Sequence, residues 1–140
     1  MEDLFWMKRA LLLANKAYNS KKVPVGAVLV IDNFEIGSSF NYSGLNYCSF
    51  YHAEVISIKQ GSFYISNYLF LNVKLYVTLK PCKMCISYCF LSKIKKIIFC
   101  LNNKENKNIE NICFINNNIF ENESILLLKN FFKKSKKLIV

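Results

Sequence analysis

Residues Lys74-Leu75-Tyr76-Val77-Thr78-Leu79-Lys80-Pro81-Cys82-Lys83-Met84-Cys85 decide the fold. Lys74 to Leu79 has the composition of a buried strand. Pro81 then opens a helix that runs through Leu91, because a proline's missing N–H costs nothing in a first helical turn. Ile97 to Leu101 is apolar and β-prone again. Upstream, Leu4, Met7, Leu11, Ala14 and Tyr18 recur at spacings of three and four, which predicts an apolar stripe on a first helix ending near Ser20. Val25 to Ile31 is rich in β-branched residues, Asp32-Asn33 supplies turn chemistry, and Phe34 to Phe40 returns as the second strand of a hairpin. His52 to Gln60 reads as helix with Gly61 as its stop, Ile112 to Ile115 as a short strand, and Glu121 to Lys136 as a last helix. Phe40 to Tyr51 and Asn102 to Asn111 are polar connections. The alternation of helix and strand predicts an α/β domain with a mixed sheet covered by helices on both faces.

Neither a repeat nor a Pro/Gly/Ser-rich linker divides the chain, so residues 1–140 are expected to form a single domain. With 53% hydrophobic residues the chain can bury a core, which excludes a disordered protein. The longest early apolar run, Ala10 to Ala14, is too short for a signal sequence or a membrane span, and a cytoplasmic protein is expected. Nineteen Lys and Arg against nine Asp and Glu leave a net charge of +10, spread along the chain, which points to a polyanion and to nucleic acid first. The competing explanation is compositional, since Lys, Asn and Ile are all abundant, as an A+T-rich genome would favour. A domain of this size folds without disulfide staples, and of the six cysteines Cys82 and Cys85 form a pair, whereas Cys48, Cys89, Cys100 and Cys113 lie singly in apolar or aromatic surroundings and are expected to be reduced, mostly buried thiols.

Chemistry is concentrated in His52-Ala53-Glu54 and Pro81-Cys82-Lys83-Met84-Cys85, each of which opens a helix. Thiolates three residues apart in a first turn can bind one Zn²⁺ together, and the helix N-terminus lowers the cost of deprotonating them. His52, the only histidine, supplies a third, neutral ligand. Three protein ligands leave the fourth tetrahedral position to water, as in a catalytic zinc site, with one ion per chain. Residues two apart in a regular helix point about 200° apart, so Glu54 can face the same ion as His52 only if His52 sits at the non-helical edge of the turn. Glu54 is the candidate proton carrier, since a zinc that bears two thiolates is a weak acid and gains from a neighbouring carboxylate. A lone Cys-x-x-Cys would equally suit a redox pair or a structural zinc. The two motifs together have the order and roles of the zinc nucleobase deaminases.

The chain resembles the bacterial tRNA-specific adenosine deaminases of the cytidine-deaminase-like superfamily. The resemblance rests on Phe5-Trp6-Met7-Lys8-Arg9-Ala10-Leu11, Val23-Pro24-Val25-Gly26-Ala27-Val28-Leu29-Val30, Asn41, His52-Ala53-Glu54 and Tyr76 to Cys85, and it reappears in Leu126 to Phe132. It implies a three-layer α/β/α fold and a homodimer that converts the wobble adenosine of a tRNA anticodon loop to inosine with a zinc-activated water. It further implies His52, Cys82 and Cys85 as metal ligands, Glu54 as the catalytic proton shuttle, and Asn41, Val25 and Ala53 as substrate contacts. Four departures from the family pattern stand beside the site: Lys80 replaces a usual Glu, Cys48-Ser49-Phe50-Tyr51 replaces Asp-Pro-Thr-Ala, Ile86-Ser87-Tyr88 replaces the usual small residues after the second Cys, and Asn102 to Asn111 replaces a Gly/Ala-rich loop.

Two further features suit RNA. Phe40, Tyr42, Tyr47, Phe50 and Tyr51 lead into His52 and could stack on splayed bases, although Phe and Tyr of this kind also pack inward. The segment from Lys129 to Lys137 could lay a basic helical end along a phosphate backbone, although such faces are often only solvated. Two alternatives stand against the tRNA reading: a deaminase of a free nucleobase or nucleoside of the guanine or cytosine type, which needs no net charge of +10, and a degenerate non-catalytic zinc- or RNA-binding homologue, which would not need Glu54.

Overall fold

The computed structural model describes residues 2–42, 51–67, 69–103 and 111–138, with side chains to residue 134. Its elements follow in the order α1 (Glu2–Asn19), β1 (Gly26–Ile31), β2 (Phe34–Phe40), α2 (Ala53–Ile65), β3 (Val73–Leu79), α3 (Lys83–Leu91), β4 (Lys96–Leu101), β5 (Cys113–Asn116) and α4 (Glu121–Leu138). The strands form one sheet in the order β2-β1-β3-β4-β5. β1 pairs antiparallel with β2 and β3, whereas β3, β4 and β5 run parallel. The mixed sheet is the one expected.

Because side chains alternate along a strand, each central strand feeds two cores. Ala27, Leu29, Leu75, Val77, Ile97 and Phe99 pack with Ala53 and Ile58 of α2 and with Ile86 and Cys89 of α3. Val28, Val30, Tyr76, Ile98 and Cys100 face the other way, onto Trp6, Met7, Ala10 and Leu13 of α1. α4 joins this second layer, where the Cys100 Sγ lies 3.2 Å from the buried Ser124 hydroxyl. The result is three layers, α/β/α. Asp32 and Asn33 take φ of 48° and 60°, the two left-handed residues of a type I′ turn, so the hairpin forms where the turn chemistry placed it.

Two expectations need correction. The buried face of α1 is Trp6, Met7, Ala10, Leu13, Ala14 and Ala17, while Leu4 is 47% exposed and Leu11 and Tyr18 lie on its flank. The helix sits so close to β1 that a Cβ on Gly26 would lie 2.0 Å from the Ala10 carbonyl oxygen, so no side chain fits at that position. Gly61 does not end α2. The helix passes through it to Ser66, whose φ of 54° makes the stop, and the glycine is needed for space, since its Cβ would meet Leu29 Cδ2 at 2.6 Å. Cys113 is exposed because β5 pairs on one side only, whereas Cys89 and Cys100 are buried as expected. Cys48 lies outside the described residues. Among the described residues no helix is long and apolar enough to cross a membrane.

Candidate zinc centre and active-site cavity

The N-termini of α2 and α3 converge above the sheet. His52 is the N-cap of α2, with φ −71° and ψ 152°, and Cys82 the N-cap of α3, with φ −71° and ψ 171°. Both backbones are therefore extended where the helices begin, and His52 stands at the non-helical edge that lets it face the same point as Glu54. Each cap carbonyl accepts the first helical bond, from Ile56 and from Ile86, but neither side chain caps its own helix. Those side chains are turned to one another instead.

The His52 Nδ1 lies 3.6 Å from Cys82 Sγ and 3.5 Å from Cys85 Sγ. All three donor atoms fall within 4.8 Å of one another. Bonds of about 2.0 Å to nitrogen and about 2.3 Å to sulfur at a tetrahedral angle put N and S about 3.5 Å apart, so these residues have the chemistry and spacing for Zn²⁺. Of the two thiols Cys82 is the acidic one, held down to about 4 by the Cys85 thiol and by His52. Cys85 is pushed up by its bond to Cys82 and by burial. His52 is raised, chiefly by Cys82. Glu54 is fully enclosed and burial raises its carboxyl, against the opposing effects of Cys85 and His52.

A cavity of about 250 Å³ opens beside this cluster, at the C-terminal ends of β3 and β4. That is where the loops of an α/β sheet build binding sites. Val25, Asn41, His52, Ala53, Glu54 and Cys82 all line it, which brings together every residue singled out from the sequence except Cys85, buried behind. Val23, Leu79, Lys80, Pro81 and Asn103 complete the wall. Asn103 had no local signal; it follows β4 and reaches the cavity only because β4 lies next to β3. Of the aromatics, Phe40 packs inward against the α1 side, with its ring 4.2 Å from that of Tyr42. Tyr42 N–H bonds the Tyr51 carbonyl at 2.7 Å beside His52. Tyr47 and Phe50 lie outside the described residues.

An imidazole, two sulfurs and an enclosed carboxyl, set at two helix starts of an α/β/α sandwich, define a zinc-dependent hydrolase. The chain belongs to the cytidine and deoxycytidylate deaminase zinc-binding family, whose pattern matches residues 1–101. It is 37% identical over 151 residues to the tRNA-specific adenosine deaminase of Buchnera aphidicola subsp. Baizongia pistaciae, covering 97% of this chain and 91% of that one. A structure solved in a study of A-to-I editing by tRNA:A34 deaminases superposes with a TM-score of 0.73 at 29% identity, over 79% of this chain and 85% of the other. Guanine deaminase from Bacillus subtilis superposes with a TM-score of 0.68 at 26% identity, over 72% and 65%.

Proposed function

We propose that the protein hydrolyses the wobble adenosine of a tRNA anticodon loop to inosine and ammonia, working in the cytoplasm as a single-domain protein. The observation that carries the chemistry is the opening of the His52, Glu54 and Cys82 side chains onto one small cavity that Asn41 also lines. The relatives named above and the charge of +10 support the RNA substrate. His52, Cys82 and Cys85 would hold the zinc, which when bound supplies the Lewis acidity that lowers the pKa of water. Glu54 accepts one proton of the attacking water and delivers it to the adenine ring as C6 is attacked; it then takes the remaining proton from the C6 hydroxyl and gives it to the amine, which leaves as ammonia. A carboxyl raised by burial suits this exchange because it holds a proton more readily than an exposed glutamate does. Asn41 would hydrogen-bond the base, with Val25 and Ala53 packing beside it, a role supported by all three lining the cavity. At about 250 Å³ the cavity is below the 300–1,000 Å³ typical of ligand pockets, which suits one base turned out of its stack with its sugar and phosphates left outside.

An anticodon loop is a cheap substrate because its bases are already unpaired. A homodimer fits the outer face of α2 and α3, where Leu91, 70% exposed, lines a groove with Ser62, Met84 and Tyr88. Deamination of a free base is the second reading, favoured by the likeness to guanine deaminase. The zinc-loaded protein should form inosine in an anticodon stem-loop and leave free adenosine, guanine and cytosine unchanged; turnover of a free base with an inert stem-loop would replace the first reading by the second. In cells, tRNA sequencing should show the wobble adenosine read as guanosine only when the protein is present.

A further inference from the structure

Two residues beyond Tyr76 on β3, Thr78 is buried at 1% exposure on the sheet face that packs α1. A valine would fill the same space, and a hydroxyl taken out of water is costly unless it is bonded. The Thr78 hydroxyl oxygen accepts the Gly26 N–H at 3.2 Å. Main-chain pairing of β1 with β3 ends one residue earlier, at Ala27 with Val77. The side chain therefore carries the junction of the two strands one step past the ladder. It does so at the point where Val25 and Leu79, next along the chain from Gly26 and Thr78, line the cavity. From behind, the Thr78 carbonyl accepts the Cys100 thiol at 3.1 Å, and that sulfur lies 3.2 Å from the Ser124 hydroxyl of α4. On the cavity side, the Val25 N–H bonds the Val23 carbonyl at 2.8 Å and the Val25 carbonyl accepts the Asn41 N–H at 3.1 Å. An orphaned Gly26 N–H would have to find another acceptor. Movement toward α1 is blocked, since even a Cβ on Gly26 would strike the Ala10 oxygen, so the segment could shift only toward the cavity.

We propose that Thr78 is a positioning residue for the base: its hydroxyl holds Gly26 in place and, through Val25, sets where Asn41 stands in the cavity wall. This rests on the deaminase reading above and adds a residue that tunes base binding without touching the base.

The test uses zinc-loaded wild type, Thr78→Val, Thr78→Ser, Asn41→Ala and the Thr78→Val, Asn41→Ala double variant. Valine keeps the shape and deletes the acceptor; serine restores it. KM and kcat for inosine formation in an anticodon stem-loop are measured together with zinc content, and exchange of the Gly26 and Asn41 amide protons is followed by NMR. Thr78→Val should speed exchange of both amides and raise KM on the order of tenfold at unchanged zinc content. Thr78→Ser should recover most of the loss. Because Thr78 acts through Asn41, Thr78→Val should cost little more once Asn41 is alanine, whereas a role in stability alone would give losses that add. A normal KM in Thr78→Val, additive losses in the double variant, or no recovery in Thr78→Ser overturns the inference. If Thr78→Val does not fold, Thr78→Cys, close in volume and a weak acceptor, is judged by the same criteria. Amide exchange is read without turnover, so the two readings fail separately. A wild type that forms no inosine sinks the deaminase reading alone, whereas Gly26 and Asn41 exchange in Thr78→Val that matches wild type sinks this inference alone.

Discussion

At the scale of single residues, the two helix caps show how the site is assembled. A cap residue normally spends its side chain on the orphan N–H groups of its own helix. His52 and Cys82 do not, and the convergence of their side chains with that of Cys85 is what makes the ligand set. Glu54, two residues into the same motif, is enclosed beside the ligands without belonging to the set. His52 and Glu54 should therefore fail in different ways. Glu54→Gln keeps the shape and removes the proton carrier, so zinc content, fold and stem-loop affinity should stay near wild type while turnover falls by about 10²–10⁴-fold. Its amide also removes a carboxyl that burial holds above its ordinary value. A raised acid contributes stability at low pH that is lost as pH rises through the unfolded and then the folded value, so above that window Glu54→Gln should be at least as stable as wild type. His52→Ala deletes a ligand, and zinc content, thermal midpoint and activity should fall together. Metal analysis, thermal melts and inosine assays on both variants decide the matter. Loss of zinc from Glu54→Gln, or near-normal turnover, would remove Glu54 from the proton path.

At the scale of elements, two glycines measure how closely the layers approach. Gly26, beside the cavity-lining Val25, meets the backbone of α1, where a Cβ would come within 2.0 Å of the Ala10 oxygen and 2.7 Å of the Ala14 nitrogen. Backbone cannot step aside. Gly26→Ala should cost at least the 1–3 kcal/mol typical of overpacking and should lower activity by moving the cavity wall. Gly61→Ala meets the end of the Leu29 side chain instead, and alanine regains about 1 kcal/mol of helix propensity, so its cost should be clearly smaller. Urea midpoints at constant m-value check the order; equal losses would mean that the α1–β1 contact is looser than it stands here. These glycines also show what was legible in the sequence. Strand composition and the Asp32-Asn33 turn are local signals, and the elements they mark are present; the helix expected from Pro81 is present too, but it begins at Lys83 with Cys82 as its cap, so Pro81 precedes its first turn. The α1 stripe was misread because the face that packs most closely uses Ala10, Ala14 and Ala17, which carry little hydrophobicity, and Gly61 because a glycine kept for space looks the same in sequence as one kept for a turn. The ligands and Glu54 were legible because both motifs are compact. Asn103 was not, since only the pairing of β4 with β3 brings it to the cavity.

At the scale of the whole molecule, the question is whether a net charge of +10 is an RNA-binding surface or a by-product of composition. Salt dependence separates the two. Each phosphate neutralised by a lysine releases condensed counterions, so log K should fall linearly with log salt, by about 0.7–0.9 per contact. Charge that serves only solubility gives a flat line. α4 is the element to test, because Lys129 and Lys133 are exposed along it and of its described residues only Ser124 is fully buried. Lys134 is a poor choice, as its ammonium lies 5.0 Å from the Tyr18 ring and ties α4 to α1, so its removal would mix docking with charge. The Lys129→Gln, Lys133→Gln double variant should therefore bind an anticodon stem-loop more weakly at low salt and lower the slope by about 1–2, with zinc content and kcat at saturating RNA unchanged. The lysines act in encounter and holding, and the chemistry takes place at the cavity, so the loss should appear in KM. An unchanged slope would take α4 out of the RNA surface, and a flat line for the wild type itself would return the excess charge to composition.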